Sequence, residues 1–264
     1  MANNDLHFDV RKILVLLTIF VLVSDHVPLA QAVNVTVPAE SMPFAPGERF
    51  KYALRWALVP AGEGVLEVLP MESINGIEVY HFRMTAATNS FVDIFFKVRD
   101  LIDSYTDKDM THSIRYLKKQ HEGSTKRNVA VEFDRNNHTA HYKDEEKTES
   151  IEVLPGTFDP LSILYYARVA RHWKNDSVER PVSDGSKCVM GRAHIVKRER
   201  VEVFTGSYDT FLLEPEMEHI GGVFEKSKGA KIKVWITADH RRIPVKIASK
   251  VVVGSFVGEL VAIE

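Results

Sequence analysis

From Phe50 onward, apolar side chains recur at every second residue. Phe50, Tyr52, Leu54, Trp56 and Leu58 fall on one side of the chain, while Lys51 and Arg55 fall on the other. That is the pattern of a half-buried β-strand. Strand-like segments follow at about 65–69, 77–86, 99–106, 114–121, 128–134 and 138–143, and again near 187–204, 208–214, 230–237, 243–253 and 255–263. Pro60-Ala61-Gly62-Glu63-Gly64 reads as a turn, Asn75-Gly76 as a hairpin, and Lys143 to Ser150 as a charged hairpin end. Strands joined this closely pair antiparallel, and no long helix alternates with them, so a parallel α/β sheet is excluded. The expected fold is all-β: a strongly curved antiparallel sheet or partial barrel enclosing a helix.

Two segments break the alternation. Phe91, Phe95 and Val98 sit at helical spacing behind Ser90, with Asp93 three residues on, which predicts a short capped helix over 91–97. Asp159-Pro160 is the clearer start, since an Asp N-cap accepts backbone N–H bonds and a proline at the first helical position forfeits none. A helix is expected over 160–173. Its apolar residues spread beyond one stripe, so it is expected to be covered on several sides.

The N-terminus carries an address. Arg11 and Lys12 precede the apolar run Ile13 to Val23, and Leu29-Ala30-Gln31-Ala32 supplies small residues for cleavage, which together make a secretory signal peptide over 1–32. Eleven apolar residues span only about 16 Å as a helix, roughly half a bilayer core, so the mature chain is expected to be periplasmic and not transmembrane. Residues 33–46, with Pro38, Pro43 and Pro46, form an extended lead-in, and 47–264 a single β-rich domain with two halves around the 160–173 helix. Removing 1–32 leaves 32 of 34 basic and 33 of 36 acidic side chains. That balance gives no bulk charge with which to hold nucleic acid. Cys188 is the only cysteine, so no internal disulfide forms, and it reads as a half-buried strand residue.

The stretch Pro43-Phe44-Ala45-Pro46-Gly47-Glu48-Arg49-Phe50-Lys51-Tyr52, then Val98-Arg99-Asp100, Asp159-Pro160-Leu161-Ser162, Val234-Trp235-Ile236 and Arg242-Ile243-Pro244-Val245, resembles an uncharacterised bacterial periplasmic family known as a domain of unknown function, DUF3108. The resemblance implies an exported, β-rich envelope protein of Gram-negative bacteria and brings no reaction, cofactor or catalytic residue with it. In layout the chain is also similar to periplasmic lipoprotein carriers, a likeness of fold alone.

Catalytic patterns find little support. Asp100 and Asp103 are three apart in a strand and face opposite sides, as do His138 and His141. No thiol pair or His-Glu-x-x-His helix offers a metal site, and no cofactor is expected. Asp239 precedes a polar turn that explains it. The remaining signal is aromatic. Phe50, Tyr52 and Trp56 on one strand face, Phe91, Phe95 and Phe96 around the short helix, and Trp235 on a late strand are either plain core or the lining of a concavity. Arg168, amid apolar neighbours, either pairs with a carboxylate such as Asp103 or meets a ligand headgroup. Tyr52, Trp56, Phe95, Asp103, Arg168 and Trp235 are therefore the candidate ligand-binding residues. The reading is a non-catalytic envelope protein that binds a lipid, lipoprotein, apolar peptide or partner protein. The alternatives are a structural scaffold, or a hydrolase or lyase acting on an envelope polymer through residues such as Asp103, His112 or Asp239.

Overall fold

A computed structural model describes residues 42–170, 177–216, 231–250 and 255–264. Its fourteen strands are β1 (Arg49–Trp56), β2 (Val59–Ile74), β3 (Ile77–Thr88), β4 (Arg99–Asp107), β5 (Ser113–Glu122), β6 (Thr125–Asp134), β7 (Thr139–Lys143), β8 (Thr148–Glu152), β9 (Ser177–Ser183), β10 (Cys188–Val203), β11 (Gly206–Pro215), β12 (Lys231–Thr237), β13 (Pro244–Lys250) and β14 (Ser255–Ile263). Two helices interrupt them, α1 (Ser90–Asp93) and α2 (Ser162–Val169).

All fourteen strands form one antiparallel sheet in the order β8 back to β1, then β14 back to β9. The last strand pairs with the first, Phe50 opposite Ile263 and Trp56 opposite Phe256, so the sheet's edges are β8 and β9, with α2 in the connection between them. The curved sheet remains open. Its own chain covers part of the β9 edge, where Phe158 N donates to Pro181 O and Ser183 N to Phe158 O, both at 2.9 Å. That occupies backbone groups which an exposed edge would offer to another chain.

The expected all-β class holds, and departures from the expected elements have local causes. Pro60 to Gly64 is no turn but the start of a continuous β2. Pro60 falls at a register shift opposite Arg55, where its missing N–H is tolerated. Gly62 is required by close approach, because a Cβ there would lie 2.0 Å from Ala87 O. The chain reverses instead at Ala57 and Leu58, with Ala57 at φ +50°. Within 143–150, Thr148 onward pairs with β7 and begins β8. The first helix is a single turn capped by Asn89, whose Oδ1 accepts from Val92 N at 2.9 Å. Asp93 takes Arg99 and Thr88 rather than closing a capping box.

At α2, Asp159 Oδ1 accepts from Leu161 N (2.9 Å) and Ser162 N (3.0 Å), while Oδ2 accepts from the hydroxyls of Ser104 and Ser113, both at 2.6 Å. The carboxylate thus caps the helix and fastens it to β4 and β5. The regular turns begin at Ser162 and run to Val169; Trp173 lies outside the described residues. Tyr165 stacks on Phe82 with centroids 3.9 Å apart, and Phe44 from the lead-in meets both rings edge-on. Side chains of β1–β7, α2, β9, β13 and β14 share this core.

Candidate functional site

Arg168, next to the last residue of α2, is 1% exposed at its side chain and holds Glu48 with two hydrogen bonds of 2.5 and 2.9 Å. Its remaining donors reach Pro43 O and Arg241 O at 3.1 Å, and its guanidinium lies 5.2 and 5.3 Å from the ring centres of Phe44 and Phe50. The carboxylate it meets is therefore Glu48, not Asp103. The bidentate geometry pins α2 to the lead-in, the start of β1 and the β12–β13 turn. Asp103 is bonded by His81 Nε2 (2.8 Å) and Arg83 Nε (2.7 Å). Burial raises its pKa, but these two donors outweigh burial and leave it low.

Above α2 lies a half-open apolar cavity of about 200 Å³. Leu161 with Leu164 and Ala167 of α2 forms one wall; Tyr52, Leu54 and Met84 form another; Ile232, Val234 and Ile247 form a third; and Ala61, Ala87, Thr88 and Phe256 bound the far end. The space exists because inward positions on neighbouring strands are small. Tyr52 stands opposite Gly64, and Leu54 opposite both Gly62 and Gly258. Leu54 lies against Gly64 and Gly258, where added Cβ atoms would come within 3.7 and 3.2 Å of its side chain. Larger residues would fill the void. The lining is almost wholly hydrocarbon, with Thr88, Arg192 and Ser249 as its polar members, and Ser249 Oγ has no hydrogen-bond partner among the described residues.

Of the six candidate residues, Tyr52 lines this cavity, its hydroxyl donating to Pro244 O at 2.7 Å. Burial raises the Tyr52 pKa well above the ordinary phenol value. Trp56 packs with Phe96, Val98 and Phe256 in a separate small cluster. Trp235 is half-buried and donates from Nε1 to Glu199 Oε1 at 2.8 Å. Phe95 stands in solvent, 65% exposed. Asp103 and Arg168 are committed to the ion pairs described above. Inward glycines and alanines were the signal for the cavity, legible only once strand register is known.

A second, polar concavity of about 310 Å³ is lined by His112, Arg135, His138 and the 153–157 loop, among others. Thr111 Oγ1 donates to Asp107 Oδ2 (2.6 Å), which leaves its lone pairs to accept from His112 Nδ1 (2.8 Å). Burial lowers the His112 pKa against the pull of Asp107. The neighbouring Ser113 hydroxyl is engaged by Asp159 and Ser162, so it does not serve His112 as a nucleophile. Asp239 organises its turn, accepting from Thr237 Oγ1, Arg241 N and Arg242 N. Cys188 is half-buried, and burial raises its thiol pKa. Among the described residues no cluster of three or more metal-ligating side chains occurs, and no helix is long and apolar enough to cross a membrane.

Residues 51–261 match the family described as "Protein of unknown function (DUF3108)". The chain belongs to this family. Among solved structures it is similar to a beta-barrel-like protein of another domain of unknown function, DUF1849, from Brucella abortus. That match has 12% identity, covers 82% of this chain and 96% of the other, and has a TM-score of 0.55. A putative exported protein with a YmcC-like fold from Bacteroides fragilis matches at 9% identity over 84% and 98%, with a TM-score of 0.40. No curated protein matches the sequence. The first likeness extends the curved-sheet fold across families. Within this family member, Glu48, Asp159 and Ser162, which lie in the resembling motifs, fasten α2 together with Arg168 and build the frame around the cavity.

Proposed function

We propose that this DUF3108 protein is exported with loss of residues 1–32 and acts in the periplasm as a non-catalytic carrier. Its cavity takes a single apolar group of an envelope component: a short acyl segment, or an apolar side chain of a lipoprotein or peptide. The observation that carries the reading is the cavity itself, about 200 Å³ of hydrocarbon-lined space between α2 and the sheet. Protein interiors leave few voids larger than a water molecule, and an engineered apolar cavity of about 150 Å³ stays dry and admits benzene. The volume lies below the roughly 300 Å³ at which drug-sized sites begin, so it suits part of an amphipathic molecule rather than a whole lipid. The hydrolase reading has less support, since the Ser113 hydroxyl beside His112 is engaged by Asp159 and Ser162.

Native mass spectrometry of the protein purified from its own envelope tests the proposal. The expected result is a stoichiometric adduct that denaturing extraction releases, and that Ala167→Phe, which fills the cavity from α2, abolishes without unfolding the protein. A clean apo mass under gentle conditions, or an adduct indifferent to Ala167→Phe, would remove the carrier reading.

A further inference from the structure

At the end of the sheet away from the Arg168 anchor, large apolar side chains stand in solvent. Leu58 at the β1–β2 turn is 93% exposed, and Phe91, Ile94 and Phe95 on and just after α1 are 59, 74 and 65% exposed. They form one projecting tip. Asn89, the cap of α1, donates from its backbone to Ala61 O (2.9 Å) and from its side chain to Pro60 O (2.7 Å), which ties the helix to the strand leaving Leu58. Phe91 and Phe95 meet edge-on with centroids 5.7 Å apart. Scattered single exposed apolar residues need no explanation, but a cluster of this kind marks an interaction site.

Cations flank the tip on its β5–β6 side. Lys97 follows Phe95 by two residues, and Gly123 N donates to Lys97 O at 2.8 Å, which brings the β5–β6 turn and Lys126 alongside. Lys119 stands on β5 opposite Leu101. All three lysines are exposed and make no ion pair among the described residues, whereas Asp93, the acid of α1, is neutralised by Arg99 at 2.6 Å. The tip also adjoins the cavity, because Ala87 and Thr88, which bound its far end, lead directly into Asn89.

We propose that this end is a docking surface for a bilayer carrying anionic headgroups. Leu58, Phe91, Ile94 and Phe95 enter the acyl boundary, Lys97, Lys119 and Lys126 meet lipid phosphates, and the far end of the cavity is held against the lipid. Side chains projecting from a turn and a one-turn helix, with unpaired cations beside them, match the layering of a bilayer surface, apolar beneath charged. A protein partner would require a complementary pocket for each projecting residue. The inference goes beyond the carrier reading and does not depend on what the cavity holds.

The test is co-sedimentation of the chain lacking residues 1–32, whose apolar run would itself bind lipid, with vesicles of phosphatidylethanolamine and phosphatidylglycerol or of phosphatidylcholine alone. Binding is expected to the anionic vesicles and to weaken with added salt. The double variant Phe91→Ser/Phe95→Ser is expected to lower partitioning by about tenfold or more, as each phenyl ring loses its burial in lipid. Phe95→Trp supplies a second readout: its fluorescence is expected to be quenched by lipids brominated along the acyl chain. Ala167→Phe is expected to bind vesicles normally, which separates docking from the carrier reading. Absence of binding to anionic vesicles, or equal binding by the double variant, would overturn the proposal. So would a concentration-dependent dimer abolished by the double variant in the absence of vesicle binding, which would make the tip a contact between copies of this chain.

Discussion

The two helices of this protein share a sheet and little else. The second, in the connection from β8 to β9, is largely buried and is held at its start by Asp159 and near its end by Arg168, each making several hydrogen bonds. The first is one turn long, has no buried residue and presents its aromatic rings to water. The contrast separates an end built for rigidity from an end left available. Stability is unevenly distributed in most folds, and surfaces that engage ligands are drawn from the less stable part.

The largest effect should come from breaking the rigid end. Arg168→Ala leaves Glu48, only 11% exposed at its side chain, without its counter-charge. Removing one partner of a buried pair costs about 3–5 kcal/mol, because the other remains desolvated. Urea denaturation of the single variants and of Arg168→Met/Glu48→Met checks this, and the double variant should recover part of the loss. A loss below about 1 kcal/mol for Arg168→Ala would mean that α2 is held by packing alone.

The available end carries a cost of its own, in the carboxyl pair Asp100 and Glu122 near the β5–β6 turn. Burial first, then the charge of Asp100, raises Glu122 to about 7 from 4.5, and one of its oxygens has no hydrogen-bond partner among the described residues. Because the folded-state pKa lies above the unfolded one, the native protein retains a proton that the unfolded chain has released between those values. This contribution to stability is complete below about pH 4.5 and is lost as pH rises through 7. It amounts to at most about 3 kcal/mol. Melting curves from pH 5 to 8 should show the decline, and Glu122→Gln should flatten it; an unchanged slope in the variant would place the titration elsewhere.

How legible these two ends were in the sequence follows from the range of the interactions that make them. Period-two alternation is local, so most strands could be read directly. So could the start of α2, since Asp159 caps residues two and three positions away. Pro60 to Gly64 misled because the residues that make turns are also those that permit a bulge and a close strand approach. The short edge strands β8 and β9 were missed because charged Thr148–Glu152 and proline-bearing Ser177–Ser183 lack the alternation of half-buried strands. The partner of Arg168 lies 120 residues away in sequence, and no spacing rule selects Glu48 over Asp103. The cavity depends on Gly64 and Gly258 flanking Leu54, which requires the register of three strands at once. Aromatic type and a place on the expected 91–97 helix made Phe95 a lining candidate; α1 ends at Asp93, and Phe95 just after it stands in solvent.

At the available end, Asn89→Ala should cost about 1 kcal/mol, the usual loss when a helix cap is removed, and should loosen α1 without affecting α2. Protease accessibility near residue 90, compared with global melting, would show whether the effect stays local.

The smallest expected change sharpens the comparison most. Phe91→Ser/Phe95→Ser should alter folding stability by no more than about 0.5 kcal/mol, as for surface substitutions that disturb no packing. Rings that contributed to the core would each cost about 3–5 kcal/mol on truncation. A near-zero stability change together with a large loss of vesicle binding would mean that the tip serves an external surface and that folding leaves it free. A loss of several kcal/mol would instead make α1 a structural element like α2, and the division between a rigid end and an available end would collapse.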